Sequence, residues 1–313
     1  MIKLQNESRD YYTKKERKSK YKKMKGGYDM KFLNGIGVIH SLQRLLDEGE
    51  AGVRVLTDAG IECIQLNNWD PSLCTRENAD RVLKLLDGKV RISSFWGGWT
   101  GPAVWDFVDG PVTLGLVPIA YQAQRIADLK KEADFAHMLG VHDMATHVGF
   151  VPEQPTYPGY RELVCAVRTV AAYCKKLELS FNFETGQETP VTLMRLFSDV
   201  GADNLGINLD PANLILYGRG NPVDALDIYG DKIRGIHVKD GDYPKGDFHK
   251  LGTERVVGEG SVNFPVFLPK LLKNGYRGDL YIEREITGEQ QLMDIQKTVV
   301  YIKDLMQKTE QEA

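Results

Sequence analysis

The chain has 313 residues, of which 42% are hydrophobic and 27% charged, and a formal net charge of −3. That is the balance of a soluble globular protein, and the length accommodates one α/β barrel of roughly 250 residues plus insertions. No run of about 18 apolar residues occurs, which excludes an ordinary membrane-spanning helix, and the lysine-rich N-terminus lacks the apolar core of a secretory signal.

The first predicted unit is a basic tail, residues 1–28, with ten Lys/Arg against three acids. Its net charge is +7, which leaves −10 on the remainder. Such a stretch can form a nucleic-acid or membrane arm. Because the body is acidic, it is instead expected to be a disordered tail, or an upstream extension of a chain whose core starts near Met24 or Met30. Residues 29–313 then form a single domain.

Short apolar strands follow, expected at 32–39, 61–66, 90–97, 141–148, 179–184, 204–210, 233–239 and 279–285. Between them lie stretches of helical periodicity such as "YQAQRIADLKKEADFAHMLG" and "YRELVCAVRTVAAYCKKL". Gly60, Gly140, Gly201 and Gly275 mark helix ends a few residues before strands. Eight strands alternating with helices predict a parallel sheet, and eight closes a (β/α)₈ TIM barrel in preference to an open doubly wound sheet. Two connections, 97–118 and 240–262, exceed ordinary loops and are expected at the catalytic mouth as lids. Cys63, Cys74, Cys165 and Cys174 form no CxxC pair. Buried free thiols in a reducing cytoplasm are expected, with no zinc site.

The last four strands share a pattern. In "LSFNFE", Leu179, Phe181 and Phe183 oppose Ser180, Asn182 and Glu184. In "LGINLD", Leu205, Ile207 and Leu209 oppose Gly206, Asn208 and Asp210. Likewise Ile236 and Val238 oppose Gly235, His237 and Lys239, and Leu280 and Ile282 oppose Tyr281, Glu283 and Glu285. Alternation places each set on one face of its strand. If the apolar face meets the helices, the other points into the barrel, with Gly206 and Gly235 leaving room. Glu184, Asp210, His237 and Glu283 then converge at the C-terminal mouth. Three carboxylates and an imidazole without cationic partners would repel in a low-dielectric pocket, and a divalent cation resolves the conflict. An oxygen-rich set with one His suits Mn²⁺, Mg²⁺ or Co²⁺.

On "FNFETGQE", "GINLDPANLILYG", "GIHVKDG", "GEGSVNF" and "YIEREITG", the chain resembles the xylose isomerase-like TIM-barrel family of sugar phosphate isomerases and epimerases, from about Lys31 to Met306. The resemblance implies one divalent metal held by the ends of strands five to eight, here Glu184, Asp210, His237 and Glu283. Glu283 is taken over Glu285 because "YIE" closes the strand as the family's last metal glutamate does. Many ketose 3-epimerases carry a His where this chain has Asn213, so its substrate contacts there differ.

The implied chemistry is proton transfer next to a carbonyl through an enediolate, with Glu184 and Glu283 as the acid/base pair. His147, Asn213 and Lys239 are candidate substrate contacts, and Trp96, with Trp99, a candidate for stacking on a sugar ring. The expected partner is a sugar or keto-sugar, with neither nucleic acid nor membrane; a homo-oligomer or a small partner subunit stays open. The main alternative is a lyase subunit that acts on 3-oxo-glycosides and cleaves a C-glycoside with a small partner chain. Less favoured are an endonuclease IV-type nuclease, which needs more histidines and a basic surface, and a non-catalytic sugar-binding barrel. "GEG" at 258–260 is too short a signal for a phosphate cradle.

Overall fold

The computed structural model describes residues 35–312, so the basic tail lies outside the described residues. Eight parallel strands close a barrel in which neighbours along the chain lie side by side and the last closes on the first. They are β1 (Ile36–Ser41), β2 (Cys63–Asn68), β3 (Arg91–Gly97), β4 (Asp143–Thr146), β5 (Ser180–Glu184), β6 (Leu205–Leu209), β7 (Ile233–Val238) and β10 (Leu280–Ile282). A two-stranded antiparallel ribbon, β8 (Asp240–Asp242) with β9 (Thr253–Arg255), rises from the segment after β7. None of the described helices is long and apolar enough to cross a membrane.

The apolar strand faces do meet the helices. Phe181, Phe183, Ile207, Leu209, Ile236 and Val238 are buried in one continuous core, and Phe183 packs edge-on against Phe197 of the helix Pro190–Val200. That helix starts on a Thr189 cap with Pro190 behind it and stops at Gly201, whose φ is 66°.

The barrel interior is a polar network rather than stacked aliphatic layers. Gln65 donates to Ser94 (3.2 Å) and Asn208 (3.0 Å), Asn182 donates to Asp143 (3.2 Å), and Ser93 meets the Tyr281 hydroxyl at 3.1 Å. The space at Gly206 and Gly235 is not left open: a Cβ at either would collide with the side-chain oxygen of Asn182 or Asn208 respectively. These glycines admit the amides that support the mouth.

Several expectations change. The final strand ends at Ile282, not 285. The Glu283 amide still donates to Val238 O (3.2 Å), but the Glu285 amide turns to the carboxylate of Glu254 (3.1 Å), which draws the chain off the barrel. Cys63 and Cys174 are buried, Cys74 half-buried and Cys165 exposed, since Cys165 falls on the outer face of its helix.

The helix Ile119–Met138 carries Arg125, Asp128 and Glu132 on a buried face. Arg125 donates to Gly115 O (2.6 Å) and Pro102 O (2.8 Å), and Asp128 accepts from the amide of Thr100 (2.9 Å). Glu132 accepts from Asn68 (2.9 Å) and from the Cys74 thiol (3.1 Å). The long segment 98–118 is thus tied to the barrel by buried polar groups. On the opposite side, Asp240 holds the other long segment by accepting from the amides of Gly241, Gly258, Gly260 and Val262 at 2.9–3.1 Å. The two glycine amides of "GEG" are therefore already engaged by a carboxylate, and the Glu259 amide by Val256 O.

Candidate active site

The strand ends bring Glu184, Asp210, His237 and Glu283 together. One ligand-type atom from each lies within 4.8 Å of all the others. Nδ1 of His237 sits centrally, 3.2 Å from Glu184 Oε1, 3.2 Å from Glu283 Oε2 and 3.7 Å from Asp210 Oδ2. Nε2 of the same ring lies 2.7 Å from Gln65 Oε1 and 2.7 Å from the Asn208 side-chain amide. The imidazole is fixed from behind, and its other nitrogen points into the cluster.

Asp210 has two tasks. Pro211 does not merely stop β6; it is the first residue of the helix Pro211–Leu216, and Asp210 is its N-cap. Oδ1 accepts from the Asn213 amide (2.9 Å), while Oδ2 turns toward His237. Both Asp210 Oδ2 and His237 Nδ1 are buried without a hydrogen-bond partner among the described residues. Two such orphaned atoms facing one point are what a cation site presents before its ion.

The cluster does contain a cation. Nζ of Lys239 lies 2.8 Å from Glu285, 3.2 Å from Glu283 and 3.6 Å from Asp210. This corrects the expectation of carboxylates without cationic partners, although three carboxylates still share one ammonium. Lys239 is almost wholly buried, so the structure places it among these carboxylates. Burial opposes ionisation of Glu283, but Lys239 and His237 hold its carboxyl down to about 2. Burial likewise opposes ionisation of Glu184, and His147 and His237 beside it hold its pKa well below the usual range. Asp210 is pushed up to about 6 by burial, against Lys239 and His237.

Glu184 is the most heavily contacted member. Trp96 Nε1 donates to Oε2 at 2.5 Å, His147 Nε2 lies 3.3 Å from Oε1, and Asn213 Nδ2 donates to Oε1 at 3.4 Å. Thus His147, Asn213 and Trp96 all gather at the cluster. Trp99 does not: it is enclosed beneath the wall, with Arg125 stacked on its ring. Glu285 stays at the rim, more than half exposed.

Above the cluster is a cavity of about 480 Å³. Glu184, His237, Glu283 and Glu285 form its polar pole; Trp69, Trp96 and Trp105 line one wall, and Leu216, Tyr217 and Leu251 another. The two long segments contribute Trp105 and Leu251, so both do border the mouth. Gln65, Trp69, Trp105 and Tyr217 were not among the sequence candidates. Gln65 was detectable as a polar residue on the inward alternation of β2; Trp69 carries no such signal, since it follows the strand.

A family model described as xylose isomerase-like TIM barrel matches residues 53–304. The rhizopine catabolism protein MocC of Rhizobium meliloti is 30% identical over 136 residues, so the chain spans 41% of that relative's length and the match covers 40% of its own. A xylose isomerase domain protein from Planctomyces limnophilus superposes with a TM-score of 0.81 at 33% identity, covering 88% of this chain and 99% of that one. L-ribulose 3-epimerase shares the fold, with a TM-score of 0.65 at 18% identity over 89% and 96% of the two chains. With a family match running through most of the barrel, the chain belongs to the xylose isomerase-like TIM barrel family.

Proposed function

We propose that the protein is a divalent-metal-dependent sugar isomerase or epimerase that moves a proton on a carbon next to a carbonyl. The observation that carries this reading is the orphaned pair, His237 Nδ1 and Asp210 Oδ2, centred between Glu184 and Glu283. Glu184, Asp210, His237 and Glu283 are the residues that would hold the ion, and Mn²⁺ suits this donor set best, with Mg²⁺ or Co²⁺ as substitutes. When bound, the cation supplies Lewis-acid polarisation of the substrate carbonyl.

The residues themselves do the rest. Glu184 and Glu283 come from strands on either side of β7 and each lies 3.2 Å from His237 Nδ1, so one carboxylate removes the proton and the other returns it, through an enediolate. Lys239 keeps Glu283 ionised and therefore able to accept. His147 and Asn213 bracket Glu184 and bind substrate oxygens. The apolar walls exclude bulk water. The partial likeness to a rhizopine catabolism protein supports a part in small-molecule catabolism.

The test is exchange of substrate hydrogen with D₂O. The Mn²⁺-loaded protein should place deuterium beside the carbonyl of at least one keto-sugar. Chelation, Glu184→Gln or Glu283→Gln should abolish exchange with the fold intact. Undiminished exchange in either variant rejects the assigned pair.

A further inference from the structure

The imidazole of His237 has two unlike neighbours on one nitrogen. Nε2 lies 2.7 Å from Gln65 Oε1 and 2.7 Å from Asn208 Nδ2. A carboxamide oxygen only accepts and a carboxamide N–H only donates, whereas a ring nitrogen carries either a proton or a lone pair. Either state of Nε2 therefore satisfies one neighbour and opposes the other. Gln65 is 0%, Asn208 1% and His237 1% exposed, so bulk water does not relieve the mismatch.

Hydrogen bonds deeper in the barrel assign the ends of both amides. The Ser94 hydroxyl donates to Asp143 O (3.3 Å), so it can only accept from Gln65, whose Nε2 lies 3.2 Å away. The same Gln65 nitrogen donates to Asn208 Oδ1 (3.0 Å). Gln65 is thereby held with Oε1 toward the imidazole, and Asn208 with an N–H toward it. Turning over either amide alone would set N–H against N–H, or oxygen against oxygen.

The two neighbours favour opposite tautomers of His237. A proton on Nε2 donates to Gln65 and leaves the Nδ1 lone pair facing Glu184, Asp210 and Glu283, the form that a cation requires. A proton on Nδ1 leaves Nε2 to accept from Asn208, and an N–H at Nδ1 cannot ligate.

We infer that Gln65 is a positioning residue of the metal centre: it fixes the His237 proton on Nε2 and so opens Nδ1 to the cation, against Asn208, which favours the closed tautomer. This rests on the metal reading above and adds to it a residue of β2 that lies behind the ligands.

Calorimetry with Mn²⁺, together with pulsed EPR of the nitrogen coupling from a bound imidazole, tests it. Gln65→Met sets a methyl where Oε1 stands. It should weaken Mn²⁺ binding about tenfold or more and lose the imidazole coupling at saturating Mn²⁺. Gln65→Glu keeps the acceptor and should keep the coupling. Asn208→Leu added to Gln65→Met removes the opposing donor and should recover part of the affinity, whereas two merely structural losses would compound. Asn208→Leu alone should bind Mn²⁺ at least as tightly as the parent, a test that stands even where Gln65→Met does not fold. Parent-like affinity and coupling in Gln65→Met, a double variant weaker than Gln65→Met, or weakened binding in Asn208→Leu alone overturns the assignment. A parent that binds Mn²⁺ without imidazole coupling, or not at all, instead sinks the metal reading beneath it, and this assignment with it.

Discussion

The ammonium of Lys239, 99% buried, stands 3.2 Å from the carboxylate of Glu283 and 2.8 Å from that of Glu285. It is the fixed positive charge of the centre. Lys239→Met removes it and leaves Glu283 and Asp210 in a buried site with only His237 beside them, a change that costs up to about 3–5 kcal/mol of stability in the cation-free protein. The same change removes a charge that repels an incoming cation. Lys239→Met should therefore melt earlier without metal, bind Mn²⁺ more tightly than the parent, and turn over more slowly because Glu283 is no longer positioned. Unchanged Mn²⁺ affinity and turnover would assign Lys239 to packing alone.

Asp210 separates two contributions in one residue, since Oδ1 caps a helix and Oδ2 faces His237. Asn is as good a cap as Asp but carries no charge. Asp210→Asn should keep the melting temperature close to that of the parent while greatly weakening Mn²⁺ binding. Asp210→Ala should lose the cap as well, at a further cost of about 0.5–2 kcal/mol. If both variants bind Mn²⁺ like the parent, the orphaned oxygen is not a ligand.

The four converging residues were legible because strand alternation is a local rule: once Leu205, Ile207 and Leu209 face the helices, Asp210 can only face the mouth. What surrounds them was not local. Gln65 reaches His237 across the barrel, and Lys239 pairs with residues 44 and 46 positions away. The helix role of Pro211 was readable in principle, since Asp followed by Pro opens helices as well as turns. Trp69 and Trp105 lie in irregular segments, where no periodicity predicts direction. Arg125, Asp128 and Glu132 carry no burial signal of their own, because charged residues at helical spacing usually form a solvated face; here the long segment 98–118 covers Arg125 and Asp128, and Asn68 and Cys74 cover Glu132.

Arg125 makes that cover testable. Its guanidinium holds two backbone carbonyls and stacks on Trp99 and Tyr121. Arg125→Met keeps most of the volume but leaves those carbonyls unpaired, at about 1–3 kcal/mol for each buried group. Amide hydrogen exchange across 98–118 should accelerate while exchange in the strands stays slow. Uniform exchange in both regions would show that the segment is held by something else.

Glu132 sets a pH dependence remote from the cluster. Burial pushes its carboxyl from 4.5 up to about 8, against the hydrogen bonds from Cys74 and Asn68. In the unfolded chain it ionises near the ordinary value of 4.5. Between these values the folded protein keeps a proton that the unfolded chain releases, so its contribution to stability falls as pH rises and the loss is complete above about pH 8. The slope approaches about 1.4 kcal/mol per pH unit, or at most about 4–5 kcal/mol over the window. Glu132→Gln is nearly isosteric, still accepts from Asn68 and cannot ionise. Urea denaturation at pH 5, 6.5 and 8 should therefore find the variant close to the parent at pH 5 and progressively more stable than it toward pH 8. A constant difference between the two proteins at all three pH values would mean that Glu132 is already ionised in the folded state.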